Sequence, residues 1–156
     1  MTSLARRRIL ALAAGALSCA TARAESALPR PASLPDAAAT AAARGSPLIL
    51  LASLPGCPYC ERIRRSHLLP LAQELPGCVV QIDVGSRSTL VAFDGSVKTH
   101  DDVAESLHAR FTPTVMFFGP DGRELAERLV GAGIPDFYGG LLEQRLDGAR
   151  MALARR

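Results

Sequence analysis

The sequence has 156 residues and a mass of 16.5 kDa, a length typical of a single domain. Hydrophobic residues make up 48% and charged residues 21%, so a packed core is expected and wholesale disorder is not. There is no Trp and aromatic residues are only 4%, so a surface that stacks nucleic-acid bases is not expected. The formal net charge of +3 suggests a basic protein.

The first 24 residues have the pattern of a cleavable signal peptide. Three arginines at 6–8 precede an apolar stretch at 9–19, and Ala22-Arg23-Ala24 fits a small-residue cleavage site, which predicts cleavage after Ala24 and export to the periplasm. An uncleaved anchor is the alternative, although the apolar stretch is short for a bilayer core of about 30 Å. Lipidation of Cys19 is a poor alternative, because the preceding residues 16–18 do not match a lipobox well. The arginines are typical of a twin-arginine signal and equally of an ordinary positive n-region, and the sequence leaves this open.

The positive charge of the whole chain belongs to this segment. Four of the 18 basic residues and none of the 15 acidic residues lie in it, so the mature chain has 14 basic and 15 acidic residues and a net charge of −1. This balance gives no electrostatic reason to expect nucleic acid as a partner. No later apolar stretch reaches about 18 residues, so no stable membrane insertion is expected after cleavage.

The first half of the mature chain predicts a helix, a strand, a helix and a strand. Residues 25–46 are expected to be a linker with a short Ala-rich helix, capped by Asp36 and ended at Gly45. The apolar run 47–54 predicts a strand buried on both faces. A helix follows from about Pro58 to Leu75 with a kink at Pro70, and then a strand at 79–84.

The second half predicts a helix, two strands and a final helix. Residues 85–99 are expected to be irregular, with a short extended piece at 90–93, before a helix that starts at Asp101 or Asp102. A strand at 115–118 and a return strand at 124–130 flank a Gly-Pro-Asp-Gly turn. A helix then covers 135–146, and 148–156 form a C-terminal tail. This alternation predicts an α/β fold with a mixed sheet and helices on both faces.

Three cysteines remain after cleavage, and two of them lie three residues apart. A disulfide between Cys57 and Cys60 closes a very small loop and contributes little to stability through the unfolded state, so redox chemistry is the better explanation. Cys78 lies in an apolar stretch and is expected to be a buried, inert thiol.

Cys57 is placed where a buried strand ends and a helix begins. The free amides and positive dipole of a helix start favour a thiolate, so we expect a lowered pKa for Cys57. Pro58 suits the first helical position. Cys57 should be the more exposed sulfur and Cys60 the more buried, which predicts that Cys57 attacks a disulfide and Cys60 resolves the mixed disulfide.

The alternative for this pair is half of a zinc site. Zinc needs about four ligands, or three and an open position, and the sequence has no second Cys-x-x-Cys. His67 lies seven residues along the helix from Cys60, roughly 10.5 Å, which is too far to share a metal. Nothing in the spacing of His100 and His108 brings them to the pair. No metal and no other cofactor are therefore expected, and His67 is predicted to be half-buried and His108 exposed.

Thr112-Pro113 stands at the entrance of a predicted strand, where proline cannot donate to the ladder. A cis Pro113 in a tight turn would leave the amide and carbonyl of Thr112 able to pair with an incoming peptide. A trans proline at the start of a strand is the alternative.

Taken together, the Cys-Pro-Tyr-Cys motif after a first buried strand, the later Phe111-Thr-Pro-Thr, the Pro-Asp-Gly turn and the final helix resemble the thioredoxin-like oxidoreductases. Within that family the stretch from Phe93 to Glu124 is most similar to bacterial periplasmic thioredoxins associated with sulfur oxidation. The resemblance implies a thioredoxin-like domain over 47–147, with a central mixed sheet of four to five strands flanked by helices on both faces. It also implies Cys57 as nucleophile, Cys60 as resolving thiol and Pro113 as a cis proline beside them. Pro58, Tyr59 and Thr112 are the further substrate-binding candidates.

The sequence departs from thioredoxins proper around the motif. Pro55-Gly56 stand where those proteins carry Trp before the first cysteine, and Pro58-Tyr59 replace Gly-Pro inside the motif. Leu51 occupies the position of their buried Asp. Glu61, next to Cys60, is a possible replacement, although we expect a solvated helix residue.

These features predict an exported thiol–disulfide oxidoreductase that works mainly as a reductant of protein disulfides. It would need a membrane electron donor for re-reduction, because the periplasm is oxidising. Two alternatives stay open: an oxidant that donates its disulfide, and a non-enzymatic carrier of a metal or thiol.

Overall fold

The structure of the protein is a computed structural model that describes residues 27–155. The expected signal peptide lies outside the described residues. Within residues 27–155, no helix combines the length and the apolar character needed to cross a bilayer.

A mixed four-stranded sheet forms the centre of the fold. Its strands are β1 (Leu48–Ser53), β2 (Val79–Asp83), β5 (Thr114–Phe118) and β6 (Leu129–Val130), in the order β2-β1-β5-β6. β1 pairs parallel with β2 and antiparallel with β5, which pairs antiparallel with β6. Every residue of β1, β2 and β5 is buried. The continuous apolar run around β1 predicts this burial, whereas β2 also buries the polar side chains of Gln81 and Asp83. The expected mixed sheet is confirmed.

Helices cover both faces of this sheet, as predicted. Helices α1 (Leu34–Ala43) and α4 (His100–Ser106) pack on one face, where side chains such as Leu50 and Ile82 form the first core. Helices α2 (Pro58–Ile63), α3 (Leu69–Glu74) and α5 (Pro135–Ala154) pack on the other face around Leu51 and Phe117.

The long helix after the cysteine motif contains a π-helical turn. A π segment, Arg64–Leu68, joins α2 to α3, and the amide of Leu69 donates to the carbonyl of Arg64, five residues back. Pro70, which has no amide to donate, follows directly in the first turn of α3. The predicted disturbance at Pro70 therefore takes the form of a widened turn in a helix that is otherwise continuous over residues 58–74.

The N-terminal segment 27–33 is packed, although we expected a linker there. Leu28 is 1% exposed in the core under β1. The carbonyl of Pro29 accepts from the amide of Gln81 at 2.9 Å, and that of Ala32 accepts from Val91 at 2.9 Å. The segment thus follows the edge of β2. Helix α1 then begins earlier than predicted, with Ser33 as its N-cap.

Three further segments differ in secondary structure from the sequence expectations. Residues 85–99 contain a small antiparallel sheet of β3 (Thr89–Val91) and β4 (Val97–Thr99). The return strand predicted at 124–130 is reduced to β6 and an isolated bridge between Phe118 and Glu124. Helix α5 continues to Ala154, so the tail expected at 148–156 is helical over most of its length, with Ala149 buried.

Candidate functional site

The cysteine motif starts where the chain leaves the carboxyl end of β1. A turn closes with the amide of Cys57 donating to the carbonyl of Leu54 at 3.1 Å. Gly56 has a φ of 77°, a conformation that a side chain disfavours, and this lets the chain reverse directly before Cys57. The exposed loop 54–56 therefore holds the first cysteine at the end of the sheet.

Cys57 is the N-cap of α2. Its Sγ accepts a hydrogen bond from the amide of Cys60 at 3.1 Å, which satisfies one of the free amides of the first turn, and Pro58 occupies that turn. A disulfide joins Cys57 to Cys60, with their Cα atoms 5.3 Å apart. Cys60 is fully buried and Cys57 is partly exposed, which confirms the predicted difference in exposure. An attacking group can reach Cys57 first.

Thr112 and Pro113 lie at the same end of the sheet. Thr114, the first residue of β5, pairs with Ala52 near the end of β1, so the residues before β5 and those after β1 share one edge. The Thr112–Pro113 peptide bond is cis, and the carbonyl of Pro113 accepts from the amide of Gly131 at 2.7 Å. Among residues 27–155, the amide and carbonyl of Thr112 have no hydrogen-bond partner. They are available to an extended peptide.

Four large apolar side chains near Cys57 and Pro113 are exposed to solvent. They are 44% to 68% exposed. Two lie within three residues of Cys57, one lies two residues before Pro113, and one pairs with Thr114, the residue after Pro113. We call these four residues the apolar rim: Leu54, Tyr59, Phe111 and Val130. The guanidinium of Arg62 lies 5.3 Å from the ring centre of Tyr59. Only Tyr59 was predicted from the sequence. The signal for Leu54 and Phe111 is a large apolar residue in a loop that adjoins a motif, whereas Val130 lies in β6 and its place beside Pro113 comes from strand pairing.

A cavity of about 400 Å³ opens beside Cys57. The loop 54–56, the end of β2, the first turns of α2 and the N-terminal segment form its walls. Four charged side chains contribute to these walls, two of each sign: Arg30, Glu61, Arg64 and Asp83. Sequence reasoning missed this cavity, because its walls come from segments far apart in the chain.

Arg64 ties α2 to the sheet. Its Nε donates to Oε1 of Gln81 at 2.9 Å, Nη2 donates to Oγ of Ser53 at 2.9 Å, and Nη1 pairs with Glu61. Glu61 also pairs with Arg65, so it is an ion-paired member of the cavity wall and not simply a solvated helix residue. The bonds of Arg64 to Gln81 and Ser53 therefore fix the helix that carries Cys60 against the sheet.

Asp83 is buried at the end of β2 and is fully engaged. Arg30 pairs with its Oδ2, and Nε2 of Gln81 donates to its Oδ1 at 2.5 Å. Its backbone amide donates to Nδ1 of His100 at 3.1 Å. Burial lowers the pKa of His100, so this imidazole is held neutral as a hydrogen-bond acceptor.

The remaining candidates lie away from the cysteine pair or are buried. The ring of His67, in the π segment, is 5.1 Å from that of Tyr138 in α5, and burial lowers the pKa of His67. His67 is half-buried and His108 exposed, as predicted. Cys78 is a buried free thiol, also as predicted. No group of three or more His, Cys, Asp or Glu side chains in the described part of the chain is arranged to hold a metal ion.

Comparisons with known proteins give one family match and several similar solved structures. A family model described as a thioredoxin-like domain matches residues 34–145. Among solved structures, a thioredoxin-fold protein from Helicobacter pylori is similar, with 18% identity over 83% of each chain and a TM-score of 0.54. The periplasmic thioredoxin SoxS from Paracoccus pantotrophus shares 22% identity over 65% of this chain and 96% of its own, with a TM-score of 0.42. No curated protein matches the sequence.

Proposed function

Because the chain belongs to the thioredoxin-like family and has a Cys57–Cys60 pair at the start of α2, it is a thiol–disulfide oxidoreductase, and we propose that it works mainly as a reductant of protein disulfides in the periplasm. The single observation that carries the proposal is the unequal placement of the two sulfurs. Cys57 is partly exposed to solvent and its Sγ accepts a hydrogen bond from the amide of Cys60. The side chain of Cys60 is buried one turn further along the helix.

The reaction runs in two exchanges. In the reduced protein the thiolate of Cys57 attacks one sulfur of the substrate disulfide, forms a mixed disulfide and displaces one substrate thiolate, which takes up a proton. The amide of Cys60, 3.1 Å from Sγ of Cys57, stabilises the attacking thiolate. Cys60 then loses its proton, attacks Sγ of Cys57 and releases the second substrate thiol. The substrate gains two electrons and the Cys57–Cys60 disulfide forms.

Pro58, Tyr59 and Thr112 form the proposed substrate-binding surface, and Pro113, which is buried directly behind Thr112 in the chain, would position it. The amide and carbonyl of Thr112 would pair with the substrate backbone on either side of its cysteine, in the manner of an added strand. The apolar rim would contact the flanking side chains. Backbone pairing of this kind is insensitive to sequence, which suits a reductant of many proteins.

Trapping the substrate tests the mechanism. We predict that Cys60→Ser accumulates a mixed disulfide through Cys57, because the resolving thiol is gone, and that Cys57→Ser forms none. The measurement is insulin reduction together with mass spectrometry of adducts formed in periplasmic extracts. Cys78→Ala is the matched control and should retain turnover. Turnover that survives Cys57→Ser, or stoichiometric metal binding without turnover, would reject the enzyme and favour the carrier.

The redox potential tests the direction. Equilibration of the Cys57–Cys60 pair with dithiothreitol or glutathione buffers should give a potential of about −270 mV for a reductant, whereas a value of about −120 mV would identify an oxidant. As a reductant in an oxidising compartment, the protein would be re-reduced by a membrane electron donor.

Export is proposed from the N-terminal sequence. We predict that the protein isolated from the periplasmic fraction begins at Glu25, as determined by N-terminal sequencing. Replacing Arg7 and Arg8 with Lys would block export if it uses the twin-arginine route and would spare an ordinary signal. A chain that begins at Met1 in the membrane fraction would contradict cleavage.

A further inference from the structure

The cavity beside Cys57 has features that the protein-disulfide reaction does not use. Two of the residues that line it, Ser53 and Gly56, are small. A Cβ atom added to Gly56 would meet no heavy atom within 4 Å. Its volume of about 400 Å³ falls in the range of small-molecule sites. Cys57 lies in its wall, so a ligand held there is next to the nucleophile.

The outer wall comes from a segment that the family match does not include. Ala27 and Arg30 line the cavity, whereas the match begins at residue 34. This segment is firmly placed by the buried side chain of Leu28, the Pro29–Gln81 hydrogen bond and the Arg30–Asp83 ion pair. The cavity is therefore a built feature of this chain.

The charged groups in the wall differ in how far their hydrogen-bonding capacity is used. Arg64 is only 13% exposed and all three of its guanidinium nitrogens are bonded. Asp83 is 9% exposed and both oxygens accept bonds. In contrast, the side chain of Arg30 is 50% exposed and its Nη atoms have no partner among the described residues. Both oxygens of Glu61 are paired as well, one with Arg64 and one with Arg65, but its carboxylate is 39% exposed, so a second lone pair on each oxygen can be reached from the cavity. The free Nη edge of Arg30 and this exposed, already paired carboxylate are thus the groups that a ligand can contact.

We propose that this cavity binds small zwitterionic disulfides of the amino-acid type, such as cystine, and delivers them to Cys57. The ligand carboxylate would bond to the free edge of Arg30, and its ammonium group would lie near Glu61. This substrate class rests on the proposed function, because Cys57 and Cys60 do the chemistry. The Cys57 thiolate breaks the ligand disulfide, one small thiol leaves with a proton, and Cys60 resolves the adduct. Two small thiols and the protein disulfide result.

Four small disulfides that carry different charged groups test the proposal on the reduced mature protein. Cystine carries both groups, 3,3′-dithiodipropionate only carboxylates, cystamine only ammonium groups, and 2-hydroxyethyl disulfide neither. The measurement is the second-order rate of oxidation of the Cys57–Cys60 pair, divided by the rate for dithiothreitol with the same disulfide. We expect cystine to react fastest, about tenfold or more above cystamine, in keeping with a charge-assisted hydrogen bond.

Variants assign the two contacts. Arg30→Gln should reduce the cystine-to-cystamine ratio to near one, and Glu61→Gln should reduce the cystine-to-dithiodipropionate ratio. Arg123→Gln, a 78% exposed arginine in the turn after β5 at the opposite end of the sheet, is the matched control and should leave both ratios unchanged. Because each ratio is measured within one variant, a partial loss of folded protein cancels.

Two failures can be told apart. Equal normalised rates for the four disulfides, or a ratio that Arg30→Gln leaves intact, would overturn the small-disulfide site while insulin reduction still stands. A protein whose Cys57–Cys60 pair oxidises with none of the disulfides, insulin included, would overturn the proposed function itself.

Discussion

At the scale of single residues, the reactive centre depends on where each sulfur lies relative to one helix start. Cys57 caps the helix and Cys60 is buried under it, although the two differ by only three positions. The motif and this division were predictable, because strand end, proline and cysteine spacing are local signals. Arg30, Arg64 and Asp83 were not, since their contacts join residues 11 to 53 positions apart.

His100 gives a prediction at this scale. Burial lowers the pKa of His100 below the ordinary histidine value of about 6.5, so the unfolded chain binds the proton more tightly than the folded protein does. Its contribution to stability is complete above about pH 6.5 and is lost as the pH falls below that value. The urea midpoint should therefore decrease between roughly pH 7 and pH 5.

His100→Asn should flatten part of this dependence, because the amide oxygen can accept from Asp83 without binding a proton. His67, whose pKa is also lowered by burial, would account for a remainder of the same sign. His108→Asn, at an exposed position, is the control and should keep the wild-type profile. A steeper profile in His100→Asn would refute the assignment.

At the scale of elements, the sequence predicted those that carry their own signals. β1 lies in a continuous apolar run, β2 begins with two valines, and the Ala-rich α1 formed as expected. β3 and β4 are three residues each and mostly exposed or half-buried, so no periodicity marks them. The proline-rich segment 27–33 has no local pattern either, because its order comes from the edge of β2. Segment 27–33 is thus ordered by distant contacts, which a local pattern does not contain, whereas β3 and β4 pair locally but are too short to show a pattern.

Helix α4 allows a quantitative test of a local signal. Thr99 and Asp102 form a capping box, with Oγ1 of Thr99 accepting from the amide of Asp102 at 3.1 Å and Asp102 accepting from the amide of Thr99 at 3.2 Å. Thr99→Ala should lower the free energy of unfolding by about 1 kcal/mol, measured by urea titration. Thr40→Ala, an exposed position within α1, is the control and should change stability little. Equal losses in both variants would mean that the cap contributes nothing specific.

At the scale of the whole molecule, the folded unit extends beyond the family match. The match covers 34–145, yet Leu28 on one side and Ala149 on the other are buried in the same core. The domain boundaries expected at 47 and 147 were drawn from motifs, and motifs do not report which flanking residues are packed.

A truncation tests this extent. We expect a chain that starts at residue 34 to be less stable than the mature chain by at least about 2 kcal/mol, because it loses the buried Leu28 side chain and uncovers the edge of β2. Leu28→Ala in the mature chain separates the packing loss from the loss of the edge. Identical urea midpoints for the mature and truncated chains would show that the segment is dispensable for folding.

The short distance between Ala27 and the cavity has a practical consequence for handling the protein. In a chain processed after Ala24, an affinity tag placed at the front would join the polypeptide three residues from the wall beside Cys57. The far terminus offers a better attachment point. Helix α5 starts shortly after Gly131, the partner of Pro113, and its 20 residues carry the chain about 30 Å onward. Labels and surface tethers attached behind Ala154 leave the sulfur pair unobstructed.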